Sequence, residues 1–202
     1  MREYTEQEQI RREKLTEISK VCNPYPDRFE KTHSLKDAKK LEDGISNVSV
    51  AGRIVFMRKM GKLSFVRIRD LEGDLQLEFK IDEVGEEGYA LLKKQIDTGD
   101  FVGATGEMFT TQTGEKTLRV KTFKFLGKAL RPLPEKFHGL SDTELKYRER
   151  YVDLISNEES REVFLGRSKF YYFLHKYLGE HGFLQVETPI IQTAVCGASA
   201  KP

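Results

Sequence analysis

The sequence predicts an α+β protein, mainly β, organised around a small five-stranded barrel, and three observations carry that prediction. Residues 48–81 (VSVAGRIVFMRKMGKLSFVRIRDLEGDLQLEFKI) hold three strand-like runs, broken by Met60-Gly61-Lys62 and by Glu72-Gly73, with enough alternation to assign faces. Residues 86–97 (EEGYALLKKQID) space Tyr89, Leu92 and Ile96 along one side, as a helix does. Residues 101–109 and 116–126 are two further strand candidates, joined by a turn over Thr110-Thr111-Gln112-Thr113-Gly114. Three strands, a helix and two strands is the order of a small Greek-key barrel that holds oligonucleotides on its second and third strands and the adjacent loops.

In the OB-fold, as that barrel is called, the chemistry of the second and third strands decides what is bound. In the second run Ser64, Val66 and Ile68 fall on one side, and Leu63, Phe65, Arg67 and Arg69 on the other. In the third, Leu75, Leu77, Phe79 and Ile81 make an apolar face, leaving Gln76, Glu78 and Lys80 beside Phe65. A flat ring for stacking, an amide for a base edge and cations for phosphates are the groups that single-stranded nucleic acid needs. Net charge gives no support, since 34 basic residues against 32 acidic leave only +2. Local charge does: residues 44–69 hold no Asp or Glu, yet include Arg53, Arg58, Lys59, Lys62, Arg67 and Arg69, while acidic residues gather over 82–87. The bland alternative is a solvated edge hairpin kept soluble by its cations. An outward Phe65 among them argues against it.

With 38% apolar residues the 202-residue chain can bury a core, and with 33% charged it reads as soluble. No apolar run approaches a membrane span, and the N-terminal MREYTEQEQIRREKL lacks the apolar core of a signal peptide, so a cytoplasmic protein without a membrane partner is expected. Cys22 and Cys196 lie far apart, and His33, His138, His175 and His181 are scattered. Neither a disulfide framework nor a metal site is expected.

In chain order, residues 5–19 read as a polar helix with a thin stripe of Ile10, Leu15 and Ile18, flanked by Arg11, Arg12 and Lys14. It is either a strut behind the barrel or a source of cations for the nucleic-acid face; the two readings stand level. It ends before Asn23-Pro24-Tyr25-Pro26, because prolines cannot continue it. Residues 29–43 suggest a short helical segment with Leu35, Ala38 and Leu41. The domain organisation is then an N-terminal extension over 1–46, the barrel over 47–127, a proline-stiffened linker over 128–140 and the start of a second domain over 141–202. There Ser141 and Glu144 form an S-x-x-E capping box for a helix through Tyr147 and Tyr151 to Ile155. A second helix over 158–180 spaces Phe164, Arg167, Tyr171, Leu174 and Leu178, and residues 183–188 start a strand that Pro189 breaks.

The run Leu130-Arg-Pro-Leu-Pro-Glu-Lys-Phe-His-Gly-Leu-Ser-Asp, then Tyr147-Arg-Glu-Arg-Tyr-Val-Asp-Leu-Ile, then Gly182-Phe-Leu-Gln-Val-Glu-Thr-Pro resembles bacterial-type class II lysyl-tRNA synthetases. The resemblance extends back through Met60-Gly61-Lys62, Val50-Ala51-Gly52-Arg53 and Asn23-Pro24-Tyr25-Pro26 to Arg11-Arg12-Glu13-Lys14-Leu15. Its last segment is similar to class II motif 1, which implies a homodimer interface including Phe164, Tyr171, Leu174 and Pro189. The family's following G-G-A-x-A-R-P-F loop reads Cys196-Gly-Ala-Ser-Ala-Lys-Pro202 here. Motifs 2 and 3, which grip ATP, have no counterpart. The resemblance therefore implies an anticodon-binding part and the entry to a catalytic domain, with no catalytic residue in this chain and no activity of its own. The parent enzyme is expected to use ATP and Mg to attach lysine to its tRNA.

Carried over by motif, Phe65 stacks on an anticodon base, Gln76 reads the central uridine, and Arg53 and Arg58 hold backbone or base nearby. Glu115, beyond the hairpin turn, takes the N3 proton of the first anticodon base, with Lys62 and Arg67 as phosphate contacts. The chemistry suits these roles: uracil presents acceptors on either side of an N3 donor, an amide both donates and accepts, and a carboxylate only accepts. Two other readings compete. A freestanding OB-fold binder without base preference calls for several stacking aromatics, where only Phe65 is clearly outward in the sequence. An aspartyl- or asparaginyl-type synthetase fragment shares the central uridine, but the Arg131-Pro-Leu-Pro and Phe137-His-Gly-Leu linker favours lysine.

Overall fold

A computed structural model describes residues 3–134 and 142–191, and the chain divides into two compact units, Met1–Leu133 and Pro134–Pro202. Ser141, residues 135–140 of the expected linker and the Cys196 to Pro202 loop lie outside the described residues.

The first unit is the barrel. Its strands are β1 (Val48–Met60), β2 (Leu63–Arg69), β3 (Asp74–Lys80), β4 (Phe101–Thr110) and β5 (Lys116–Gly127), closed in the order β1-β2-β3-β5-β4. Alternation does the folding: Val66 and Ile68, Leu75 and Leu77, and Leu118 and Val120 all point inward and are fully buried, as are Val50, Ile54, Phe79, Val102, Ala104 and Met108. Apart from Ala104, each such side chain is worth about 1.5–3 kcal/mol for leaving water. Neighbouring strands run antiparallel except β3 and β5, which pair in parallel over Gln76–Thr117, Leu77–Leu118 and Glu78–Arg119. Strand β4 shifts register between Thr105 and Gly106, where a Cβ on Gly106 would lie 1.9 Å from the Arg119 carbonyl oxygen. Only glycine lets the two backbones approach that closely.

Between β3 and β4 runs α3 (Ile81–Lys94), broken at Gly85 with φ 78°. This corrects two sequence expectations. Ile81 opens the helix instead of ending the apolar face of β3, and the helix spans Ile81–Lys94 where 86–97 was expected, so that Asp82 and Glu83 also lie on it. The kink at Gly85 hid the first turn from a periodicity reading, while Asp82 and Glu83 suit the positive end of the helix dipole. Tyr89, Leu92 and Ile96 are buried as expected. The Tyr89 hydroxyl donates to the Met60 carbonyl at 2.8 Å, which pins the helix beneath the β1–β2 hairpin.

The N-terminal helix α1 (Glu6–Val21) carries a capping box that the sequence reading overlooked: Thr5 Oγ1 accepts from the Glu8 N–H, and Glu8 accepts from the Thr5 N–H. Of the expected apolar stripe only Ile18 is fully buried, and Ile10 is exposed. Polar contacts dock this helix instead. Arg11 donates to the Thr98 and Ala129 carbonyls and Lys14 pairs with Asp97 at 2.7 Å, so these two cations serve the strut. Of residues 29–43 only α2 (Leu35–Ala38) is helical, with Leu35 and Ala38 buried and Ser34 as cap. Lys128, at the head of the expected linker, is built into the barrel unit and buried.

The second unit begins with α4 (Thr143–Arg148) and α5 (Arg150–Ser156), where one helix was expected. Glu149, at φ −112° and ψ 51°, separates them. The cap is the Asp142 carboxylate, which accepts from the Glu144 N–H at 2.8 Å. Helix α6 (Glu158–Glu180) matches its expected span. Residues 183–188 do not form the expected strand: no strand pairs with them among the described residues, and their side chains are exposed. Without a neighbouring strand the ladder bonds that define a strand cannot form.

Candidate nucleic-acid interface

Cross-strand register assembles one outer surface from all five strands. Arg58 sits opposite Phe65, Phe65 opposite Glu78, Glu78 opposite Arg119 and Arg119 opposite Glu107. The adjacent row runs Arg67, Gln76, Thr117, Phe109. Over these rows lies an open groove of about 670 Å³, lined by Phe56, Arg58, Leu63, Phe65, Gln76, Glu78, Lys80, Phe109, Arg119 and the hairpin residues Thr110 to Thr113.

Of the residues chosen from the sequence, Phe65, Gln76 and Arg58 come together in this groove. The Gln76 Nε2 donates to Thr117 Oγ1 at 3.0 Å, which orients the amide and leaves its carbonyl oxygen and second N–H for a ligand. Arg58 lines the groove and Lys62 stands exposed at the β1–β2 turn; neither forms an ion pair among the described residues. Arg53 is placed elsewhere. Its guanidinium donates to the Gly99 carbonyl at 3.1 Å and lies over the Phe101 ring, and burial pulls its pKa below the usual value against the charge of Asp100. Glu115 and Arg67 are joined to each other, Nη2 to Oε1 at 3.0 Å, and Arg67 also reaches Asp74 at 3.4 Å. Lys59, another cation of the acid-free stretch, donates to the Lys93 and Ile96 carbonyls at the end of α3, and burial lowers its pKa.

The groove also contains groups the sequence did not reveal. Phe56 and Phe109 bring a second and third ring to it, so Phe65 is not the only outward aromatic. Arg119 lies over the Phe109 ring at 4.4 Å and donates to Glu78 at 3.2 Å, while Lys80 reaches the same carboxylate oxygen at 3.3 Å. Two cations on one largely buried carboxylate leave the groove floor with a positive excess. A basic residue one position from Leu77's partner on β5 is visible in the sequence, but the parallel β3–β5 pairing that aims it at Glu78 is not.

At the start of β4, away from the hairpin tip, a second charge cluster braces the barrel. The buried Lys128 donates to the Gln95 carbonyl, Asp97 Oδ2 and Asp100 Oδ2, each at 2.7 Å. Burial pushes the Asp100 carboxyl up from 3.8, opposed by Lys128 and by the Asp97 and Ala129 N–H groups. For the less enclosed Asp97, burial is outweighed by the bonds from Lys128 and Lys14, and its carboxyl falls below 3.8.

Among the described residues no group of three His, Cys, Asp or Glu side chains is placed to hold a metal, and no helix is long and apolar enough to cross a membrane. In the second unit Tyr171, Leu174 and Pro189 are exposed, whereas Phe164 is half-buried with the Arg150 guanidinium over its ring at 5.1 Å.

Residues 48–126 match the family described as an OB-fold nucleic acid binding domain, and residues 142–202 match tRNA synthetases class II (D, K and N). Across 99% of its length the chain is 44% identical to a lysine–tRNA ligase of Lysinibacillus sphaericus, of which it covers 42%. It is 47% identical to that of Thermoanaerobacter pseudethanolicus and 40% identical to that of Bacillus subtilis, again over 99% of the chain, covering 41% and 42% of those proteins. The chain thus spans about two-fifths of the length of the curated relatives it matches.

Proposed function

We infer the function from one premise: the chain belongs to the class II tRNA synthetases of the D, K and N group, with their OB-fold nucleic acid binding domain followed by part of their synthetase domain. The reading is recognition of a lysine-accepting tRNA by its anticodon, within a protein that attaches lysine to that tRNA at the expense of ATP. One observation carries it: Phe65 and the oriented Gln76 amide face the same groove from adjacent strands.

A base stacked on Phe65 presents its pairing edge to Gln76. Uracil N3–H donates to the amide oxygen while a uracil oxygen accepts the second amide N–H, a pattern cytosine cannot match at N3. Phe56 and Phe109 supply faces for the neighbouring bases, and Arg58 and Lys62 supply unpaired charge for phosphates. Glu115 is the reader of the first anticodon base. ATP and Mg are the reactant and cofactor proposed for the ligase chemistry of the whole protein. The exposed Tyr171 and Leu174 on α6, with Pro189 beyond it, support association of two copies through this second unit.

The test is binding of an anticodon stem-loop. A loop of three uridines should bind more tightly than one whose central uridine is replaced by cytidine, and Phe65→Ala should cost about 1–3 kcal/mol, the range for losing one base stack. Gln76→Ala should narrow the difference between the loops. Equal affinity for both loops in the unmodified chain would mean a sequence-tolerant single-strand binder.

A further inference from the structure

We propose that Arg67 is a positioning residue for Glu115, holding that carboxylate at the rim of the groove so that one oxygen stays free for a donor on an unpaired base. The proposal rests on the reading of Glu115 given above. Two independent restraints meet at this residue. Its backbone is fixed by the hairpin, where the Glu115 N–H donates to Thr111 Oγ1 and the Thr111 N–H to the Glu115 carbonyl, each at 3.0 Å. Its side chain is fixed from another strand by Arg67 Nη2 at 3.0 Å, with Lys39 Nζ at 3.9 Å from the same Oε1. Oε2 takes no hydrogen bond among the described residues.

Arg67 is itself held by Asp74 at 3.4 Å, which Lys39 also reaches at 3.4 Å. The cluster is therefore two cations and two carboxylates. It has no excess positive charge to offer a phosphate, unlike Arg58 or Lys62, so the phosphate-contact role expected for Arg67 does not suit its surroundings. The guanidinium lies opposite Gln76 in the strand register, which puts the carboxylate it holds beside the amide proposed to read the next base. The planar guanidinium aims Nη1 at Asp74 and Nη2 at Glu115 in one fixed fork, whereas an ammonium is a rotatable point charge that fixes neither direction.

The experiment uses the full chain and uridine stem-loops carrying N3-methyluridine, which lacks the N3 donor, at each loop position in turn. Besides the central position, where the methyl group removes the N3–H donated to Gln76, one further position should show binding weakened about tenfold, as expected for a hydrogen bond to a charged acceptor. That penalty should vanish in Glu115→Ala, in Arg67→Ala and also in Arg67→Lys, and Arg67→Ala should add nothing in the Glu115→Ala background. Arg67→Lys keeps the charge, so it separates positioning from simple attraction and guards against loss of folding. An unchanged penalty in Arg67→Lys would overturn the proposal, as would uniform weakening of every loop with a salt slope lower by about one unit, the mark of a lost phosphate contact. A persistent effect of Phe65→Ala without any Arg67–Glu115 coupling would remove this inference alone. Silence of Phe65→Ala and Gln76→Ala as well would remove the proposed function and this inference with it.

Discussion

Replacing Lys128 by alanine tests whether the charge cluster at the start of β4 holds the barrel together. The Lys128 and Asp100 side chains are both fully enclosed, and the Lys128 ammonium spends all three of its protons on Gln95, Asp97 and Asp100. Removing it strands a carboxylate out of reach of water. Breaking a buried pair by deleting one partner costs about 3–5 kcal/mol, and at roughly 3 °C per kcal/mol for a chain of this size the melting temperature should fall by on the order of 10 °C. Asp100 retains the Asp97 and Ala129 N–H groups, which places the expected cost at the lower end of that range. Lys128→Met combined with Asp100→Asn should recover most of the loss, since it removes both charges while the asparagine oxygen can still accept one backbone N–H. Scanning calorimetry is the suitable assay, because the chain contains no tryptophan to report unfolding. A Lys128→Ala loss below about 1 kcal/mol, or a double variant no better than the single, would refute the account of that cluster as a paired buried charge.

Three further outcomes follow from the same geometry. Gly106→Ala should destabilise the barrel by about 1–3 kcal/mol or prevent its closure, because its Cβ would meet the Arg119 carbonyl, whereas Gly61→Ala, with nothing nearby, should be tolerated; urea titration distinguishes them. Asp97 has a carboxyl held below 3.8, so its contribution is complete above that pH and is lost as pH falls through its lower folded value; Asp97→Asn should flatten the acid side of the stability profile below about pH 4. Lys62→Ala should weaken all stem-loops alike and lower the salt slope by about one unit, with no change in preference among loops, when affinity is measured against salt concentration.

What the sequence disclosed follows from period. A two-residue repeat in β2 and β3 places Phe65 and Gln76 on one face, and the inward Val66, Ile68, Leu75 and Leu77 are buried as that repeat requires. Phe56 escaped notice because the β1–β2 register shifts between Ile54 and Phe56, so counting along β1 does not give its face. Arg119 on β5, and Phe109 on β4 beside it, escaped because they join the groove through the parallel pairing of β5 with β3, whose partners lie 41 residues apart. The Arg67–Glu115 pair joins residues 48 apart, and Arg67 looked like one more exposed cation. On α1 a capping box and polar anchors replaced the apolar stripe on which a helix reading depends.

The short parallel join between β3 and β5 has a kinetic consequence. It ties Gln76, Leu77 and Glu78 to Thr117, Leu118 and Arg119 across three positions, while β4 and β5 pair along ten. With the fewest paired positions of the five strand pairings, that seam should be the first place in the sheet to breathe in the native state. The proposed base-reading amide sits directly on that seam, bonded across it to Thr117. A strand of RNA laid over the groove would clasp both edges, and amide hydrogen exchange at Leu77 and Leu118 should slow on binding more than anywhere else in the sheet.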